Sequence, residues 1–156
     1  MSAFLAACAQ RFADATPAVP DLKPRDLLAA KVNLTGRRIR DAECSVLAEA
    51  CASGALLHCE KLLLGLNQIG DAGIIALAQV IKPVSEGGSG ALSQCTDLDL
   101  MDNQIGDAGI TALADACVSG ALDHLQDLYL NGHSFSDEAK HTMKTAMAKS
   151  GGQVHF

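Results

Sequence analysis

Carboxylates recur along the chain at positions where they could serve in acid–base catalysis or bind a metal ion. Four of them, Asp41, Asp71, Asp107 and Asp137, follow one another at intervals of 30, 36 and 30 residues. Each stands directly before an apolar pattern with helical spacing. A carboxylate at a helix start can accept from unpaired N–H groups of the first turn, which stabilises a helix by about 0.5–2 kcal/mol. The pattern therefore predicts four helix caps, and Gly70-Asp-Ala-Gly73 is interpreted as a helix start rather than a phosphate loop.

Sulfur and imidazole groups are numerous but lack the spacing of a reactive site. The 6 cysteines include no CxxC pair, and the 5 histidines are scattered. Zinc usually needs four ligands, and no Cys/His pair has zinc-finger spacing. Motifs of serine hydrolases, nucleotide-binding loops and zinc proteases are also missing from the sequence. We therefore predict buried structural cysteines, no metal, no cofactor and no enzymatic activity.

Composition excludes several classes of protein. The 156 residues carry a net charge of −6, 49% are apolar and only 3% are aromatic. This apolar fraction is enough for a folded core, and the acidic balance argues against a nucleic-acid partner. No apolar run approaches the ~18 residues of a membrane span, and no signal peptide is recognisable, so we expect a cytoplasmic protein without a membrane partner. A core poor in large rings suggests repeated layers of small apolar residues.

Self-comparison reveals such a repeat. The octapeptide NQIGDAGI occurs at 67–74 and again at 103–110. Equivalent leucines lie at positions 34, 64, 100 and 130, so the units are 30, 36 and 30 residues apart. The six extra residues of the second unit fall in 82–90, a loop-like stretch rich in glycine with one proline.

Each unit combines a strand period with a helix period. Alternate apolar residues such as Cys59, Leu62 and Leu64 predict a strand with an inward face, and Ala29 opens the corresponding set of the first unit. Apolar residues at spacings of 3, 6 and 7, beginning at Ile74, predict one apolar helix face. A strand–helix unit cannot bury its apolar face alone, so the units must stack into an α/β solenoid.

The segments 62–81 and 98–117 resemble leucine-rich repeats of the ribonuclease-inhibitor-like subclass, in which each repeat carries a full helix. The resemblance covers roughly 29–149. It implies a right-handed, curved solenoid with a parallel sheet on the concave face and helices on the convex face. We expect one domain, 1–156, with an N-terminal cap at 1–28 and repeats at about 29–58, 59–94, 95–124 and 125–156. Phe4, Leu5, Cys8 and Phe12 form a helical stripe that could cover the first repeat.

The resemblance also implies a ladder of buried asparagines. Asn67 and Asn103 occupy the inward loop position and are expected to bond to loop backbone of a neighbouring repeat. Arg37 and His133 stand at that position in the outer two units, which therefore look like edge units. At the C-terminal end, Val154 and Phe156 are expected to fold over the last repeat.

The outward strand residues form a polarised concave surface. Lysines mark its N-terminal half and aspartates its C-terminal half, with apolar and aromatic residues between them. The predicted partner-binding residues are Lys61, Leu63, Leu66, Asp97, Asp99, Met101, Asp102, Asp127, Tyr129 and Asn131. A calcium ion needs about 6–8 oxygens around a point, which a flat row of strands does not supply.

These features indicate a non-enzymatic protein-interaction module that binds a partner, with a basic surface, on its concave face. The alternatives are a GTPase-activating or other regulatory protein of the same repeat subclass, or a fragment of a larger receptor or ciliary scaffold. The fold alone does not choose between partners, because function depends on the site. The sequence leaves the oligomeric state open.

Overall fold

The computed structural model describes residues 24–156 together with six helical residues of the N-terminal segment: Ala3, Ala6, Ala7, Gln10, Arg11 and Asp14. Between 24 and 156, four α-helices alternate with five short strands. The helices are α1 (Asp41–Ala52), α2 (Asp71–Ile81), α3 (Asp107–Val118) and α4 (Asp137–Ala148). The strands are β1 (Lys31–Asn33), β2 (Lys61–Leu63), β3 (Asp97–Asp99), β4 (Asp127–Tyr129) and β5 (Gln153–His155). Each strand with its following helix is called a coil below, numbered one to four.

The strands form one parallel sheet in the order β1-β2-β3-β4-β5. Neighbours in sequence are therefore neighbours in space, and every connection between them passes through a helix. The α/β solenoid predicted from the two periods is confirmed. The fifth strand was not predicted, because Gln153–His155 has a single apolar residue and forms a strand only by pairing with β4.

The core lies between the sheet and the helices. The central strand residues Val32, Leu62, Leu98 and Leu128 are all at most 2% exposed. Helix residues at the predicted spacing cover them from the other side, as in α2, where Ile74, Leu77 and Ile81 are buried. Phe135 is the one aromatic ring among the fully buried core residues described. Repeated aliphatic layers thus account for the low aromatic content.

Glycines in the left-handed region end several helices. Gly54 follows α1 with φ 99°, Gly120 follows α3 with φ 90°, and Gly151 follows α4 with φ 76°. These positions favour glycine because a side chain there would clash with the backbone. In the six-residue insertion, Val84–Glu86 forms a 3₁₀ turn that Gly87 closes at φ 81°. Within the described ranges, no helix is both long and apolar enough to cross a bilayer.

The two ends of the solenoid differ from its middle. In the first coil Leu27, from a 3₁₀ helix at Pro24–Leu28, is buried while Ala29 is exposed, which corrects the inward position expected for Ala29. Arg11 Nη1 lies 2.8 Å from Glu49 Oε2, so this part of the N-terminal segment contacts α1. The predicted stripe of Phe4, Leu5, Cys8 and Phe12 lies outside the described residues. At the other end, Val154 and Phe156 are partly buried against the core.

Candidate functional site

The parallel register sets the outward side chains in two rows across the sheet face opposite the helices. The first row runs Lys31, Lys61, Asp97, Asp127, Gln153, and the second runs Asn33, Leu63, Asp99, Tyr129, His155. Adjacent members stand on strands about 4.8 Å apart. The predicted row members therefore lie side by side, and β5 adds Gln153 and His155, which sequence reasoning missed. We call this surface the concave face.

The basic and acidic halves of the concave face meet at an ion pair. Lys61 Nζ lies 3.1 Å from Asp97 Oδ1, and the Thr96 hydroxyl donates to Asp97 Oδ2 at 2.6 Å. The Thr96 hydrogen bond is the main cause that holds the pKa of Asp97 below its usual range, with Lys61 adding to it and burial opposing it. Asp97 thus remains ionised at neutral pH, but part of its charge is already compensated within the chain.

Asp99 lies at the centre of the acidic half, above a residue without a side chain. Its Oδ1 accepts from Met101 N at 3.0 Å. A Cβ atom at Gly65 would lie 2.9 Å from Asp99 Oδ2 and 3.0 Å from Met101 Cγ. Glycine at 65 therefore lets the Asp99 carboxylate and the Met101 side chain extend over the neighbouring coil.

The C-terminal edge of the concave face carries an aromatic pair. The Tyr129 and His155 rings stack with centroids 4.7 Å apart and an interplanar angle of 13°. His155 Nε2 lies 2.8 Å from Asp127 Oδ1, and both side chains remain 37% exposed. His155 therefore contacts both the Asp127 carboxylate and one face of the Tyr129 ring.

The loop that follows each strand forms the rim of the concave face. Gly36, Leu66, Asp102 and Gly132 are equivalent there, and all four are left-handed, with φ of 67°, 57°, 49° and 85°. Two coils have glycine at this left-handed position, and a third has aspartate, a short polar residue that adopts the left-handed conformation more readily than most. Leu66 is the apolar member of the row, and 57% of it is exposed.

Behind the rim, asparagines tie successive coils together. Asn67 Oδ1 accepts from Arg37 N at 2.9 Å and Ile39 N at 3.1 Å, while its amide donates to Leu34 O at 2.9 Å. Asn103 is half-buried rather than buried as expected, and it repeats part of the arrangement one coil later, with Oδ1 accepting from Ile69 N at 3.0 Å. These side chains hold the loops that carry the rim residues.

Two coils match a known family model. Residues 58–78 and 96–114 match the model described as "Leucine Rich repeat". The second and third coils are leucine-rich repeats. A search of curated proteins gives no match for the chain. Among solved structures, this chain is similar to one titled "Leiomodin-1 Actin-Binding Site 2 (ABS2)", with a TM-score of 0.64 and 16% identity over 100% of this chain and 82% of that chain. At this identity the likeness shows the fold alone.

The recurring aspartates bond to other helices than the prediction assigned to them. Asp41 Oδ1 accepts from Gly70 N at 2.6 Å and Gly73 N at 3.0 Å, at the start of the next coil's helix. Asp71 makes the same pair of bonds to Gly106 and Gly109, at 2.7 and 2.9 Å. Asp107 accepts from Ser136 N at 3.0 Å. Hydrogen bonding with the Ser136 side chain, and then with its backbone, holds the pKa of Asp107 below its usual range. The expected caps of their own helices are therefore corrected: Asp41 and Asp71 cap the following helix, and Asp107 bonds to the residue that caps the following helix.

The last coil differs from the other three. Asp137 begins α4, but the cap of α4 is Ser136, whose hydroxyl accepts from Ala139 N at 3.2 Å. Asp137 makes no such bond to a following helix within residues 24–156, since α4 is the last described helix. The geometry explains the GDAG motif of the inner repeats. Each glycine admits a carboxylate from the preceding coil, and each aspartate reaches the succeeding coil.

The described cysteines lie in the core. All five described ones, Cys44, Cys51, Cys59, Cys95 and Cys117, are buried and free. Burial raises the pKa of Cys59 to about 11 and that of Cys95 to about 12. These thiols are therefore protonated and unreactive at neutral pH. No cluster of three or more potential metal ligands occurs in the part of the chain that the structure describes.

Proposed function

We propose that the protein is a non-enzymatic interaction module that binds a partner protein on its concave face. The observation that carries the proposal is the acidic and aromatic half of that face, formed by Asp99, Asp127 and Tyr129 on adjacent strands. It presents charged, apolar and rigid aromatic groups together, the mixture from which protein interfaces draw their affinity. The five described cysteines are buried and protonated, so none of them offers an activated nucleophile.

The chemistry of the face favours a partner with a basic surface. Asp99, Asp102 and Asp127 lie at neighbouring positions on the third and fourth coils, whereas the charge of Asp97 is partly balanced by Lys61. A positive partner surface would be steered toward this half and away from Lys31 in the first coil. Lys61, Leu63, Leu66, Met101 and Asn131 complete the proposed surface.

Two finer assignments accompany this proposal. The repeats are assigned to the ribonuclease-inhibitor-like subclass because their helices contain 11 or 12 residues rather than a single turn. We also propose that the protein acts in the cytoplasm as one domain, 1–156, in which its five described cysteines stay reduced. Actin is included as a partner to be tested because the similar solved structure is titled an actin-binding site.

Charge reversal tests the proposed face. The variant Asp97→Lys, Asp99→Lys, Asp127→Lys is compared with a control, Glu86→Lys, Asp115→Lys, Asp123→Lys, which changes net charge equally at exposed positions outside the sheet. Each protein is used for affinity capture from the source cell and for co-sedimentation with actin filaments. A partner retained by the wild type and the control should be lost from the concave variant, whose thermal midpoint must stay close to that of the control.

Either of two results would contradict the proposed function. One is retention of the same proteins by the concave variant and the wild type, which would place the binding surface elsewhere. The other is the absence of any protein retained specifically by the wild type. Loss of actin binding in both triple variants would indicate a general charge effect rather than a site.

A further inference from the structure

Leu66 occupies a backbone position that is unfavourable for its residue type. Its φ of 57° is left-handed, and the equivalent residues of the first and fourth coils are glycines. A residue with a Cβ atom is disfavoured in this region, because its Cβ atom crowds the following carbonyl oxygen. The cost is imposed by the turn, because Leu66 N donates to Met101 O at 2.9 Å as part of the hydrogen-bonded row along the rim.

The side chain of Leu66 does not recover this cost by packing. It is 57% exposed, whereas most large apolar residues of the described chain are buried. The other exposed large apolar side chains, Leu57, Val84 and Val118, lie outside the strands and the rim. An apolar side chain that is both left-handed and exposed is a feature that binding to a partner would explain.

The surroundings of Leu66 combine an apolar surface with a carboxylate. Leu63 lies on the concave face of the same coil and is half-buried, and Gly65, between it and Leu66 in sequence, is buried. The Asp99 carboxylate and the Met101 side chain, from the next coil, cover Gly65 and lie on the side of Leu66 that faces the sheet. Methionine can shift to fit an incoming group, since its side chain is flexible. Asp99 Oδ1 is occupied by Met101 N, while Oδ2 receives no hydrogen bond from residues 24–156.

This juxtaposition matches one class of side chain. Lysine and arginine carry an aliphatic stem and a charged head, so one residue can satisfy both parts of the site. A wholly apolar side chain would remove water from Asp99 without giving it a partner, which is unfavourable. An acidic side chain would be repelled by Asp99 and by Asp102 beside it.

We propose that the partner lays a long basic side chain over the surface formed by Leu63, Leu66 and Met101, with its stem against these side chains and its head paired with Asp99. The inference rests on the proposed function and deepens it, because it names the residue that the concave face recognises. Leu66 is then a contact for the partner rather than part of the fold. A substitution at this position should act on folding and on binding in opposite directions.

Leu66→Gly separates these two effects. Glycine suits a φ of 57° and removes an exposed apolar group, so the thermal midpoint should stay equal or rise. Binding is measured with a displayed library of random twelve-residue peptides. Peptides selected by the wild type should be enriched in arginine or lysine, and Leu66→Gly should weaken them about tenfold, which corresponds to about 1.4 kcal/mol.

Two further variants control the experiment. Asp99→Asn keeps an acceptor for Met101 N but removes the charge, and it should abolish the enrichment in basic residues. Val118→Ser removes another exposed apolar side chain, 52% exposed in α3, and should leave peptide binding unchanged. Separate substitution of arginine by lysine in a selected peptide shows which head group the site prefers.

The outcomes distinguish this inference from the proposed function. If the triple concave reversal abolishes peptide binding but Leu66→Gly and Asp99→Asn do not, the basic-residue site is wrong and the concave face stands. If none of these variants alters peptide binding, the peptides bind elsewhere, and both the basic-residue site and the concave face are wrong as the binding surface. Selection of peptides without basic residues, or of no peptides at all, overturns the inference. The proposed function is then tested separately, by the affinity capture of partner proteins.

Discussion

Asn67 and Asn103 each satisfy polar backbone groups of two successive coils. The amide of Asn103 donates to Leu64 O at 2.9 Å and Leu100 O at 3.0 Å, while its Oδ1 accepts from Ile69 N. Loop backbone near the core has no regular secondary structure to bond with, so a side chain must supply the partners. An unpaired buried group costs about 1–3 kcal/mol, which makes each asparagine a strong local determinant of the coil.

Replacement of Asn103 by leucine should therefore destabilise the protein. Asn103→Leu keeps a similar volume but leaves the carbonyls and the N–H of Ile69 without that partner. We expect a loss of about 2 kcal/mol or more in the free energy of unfolding, measured by urea denaturation. Gln104→Leu, at the adjacent exposed position, serves as the control and should shift the midpoint little. An unchanged midpoint for Asn103→Leu would contradict the stabilising role of the ladder.

At the scale of elements, the helices are joined through their first turns. Asp71 begins α2, yet its carboxylate caps α3 through Gly106 N and Gly109 N. A Cβ atom at Gly109 would lie 2.6 Å from Asp71 Oδ1, so the cap depends on glycine at this position. The hydrogen bonds thus fix both the start of α3 and its distance from α2.

A double-mutant cycle tests this coupling between helices. Asp71→Ala should cost about 1–2 kcal/mol because two N–H groups of α3 lose their acceptor. Gly109→Ala should be destabilising in the wild type, since its methyl group meets the carboxylate. The double variant should cost less than the sum of the two, because the methyl group no longer meets an oxygen.

Asp137→Ala is the control for Asp71→Ala. It makes the same substitution at the start of the last described helix, where no further described helix follows to be capped. Its effect on the free energy of unfolding should be much smaller than that of Asp71→Ala. Strict additivity of Asp71→Ala and Gly109→Ala in urea denaturation would argue against the contact between them.

The individual helices and strands also show which parts of the fold the sequence could predict and which it could not. The helix and strand periods of the inner repeats identified β2, β3, α2 and α3, because each element carries its own apolar pattern. They did not identify β5, whose strand geometry depends on hydrogen bonds to β4. The partners of the aspartates were misassigned for a related reason. The local sequence pattern shows only that Asp71 stands at the start of its own helix. Its hydrogen-bond donors, Gly106 N and Gly109 N, lie 35 and 38 residues further along the chain.

Over the whole molecule, each coil is held mainly by the coils on either side, as in other solenoids, so local defects remain local. The fourth coil combines several departures from the inner repeats. His133 replaces the ladder asparagine: its Nδ1 lies 2.9 Å from Leu130 O, but its Nε2 is buried without a hydrogen-bond partner in the described structure. The stacking of His133 on Phe135, with ring centroids 5.1 Å apart, offsets this defect in part.

We therefore expect the fourth coil to open more readily than the second and third. Amide hydrogen exchange should show lower protection in α4 than in α2 and α3, because local opening there breaks fewer bonds between coils. His133→Asn should raise protection in α4, since its amide can donate to Leu130 O and its Oδ1 can accept from Ile105 N, the equivalent of Ile69 N. Protection in α2 should change little, because the effect is confined to neighbouring coils. Equal exchange in all helices, or no gain from His133→Asn, would show that the solenoid opens as one unit.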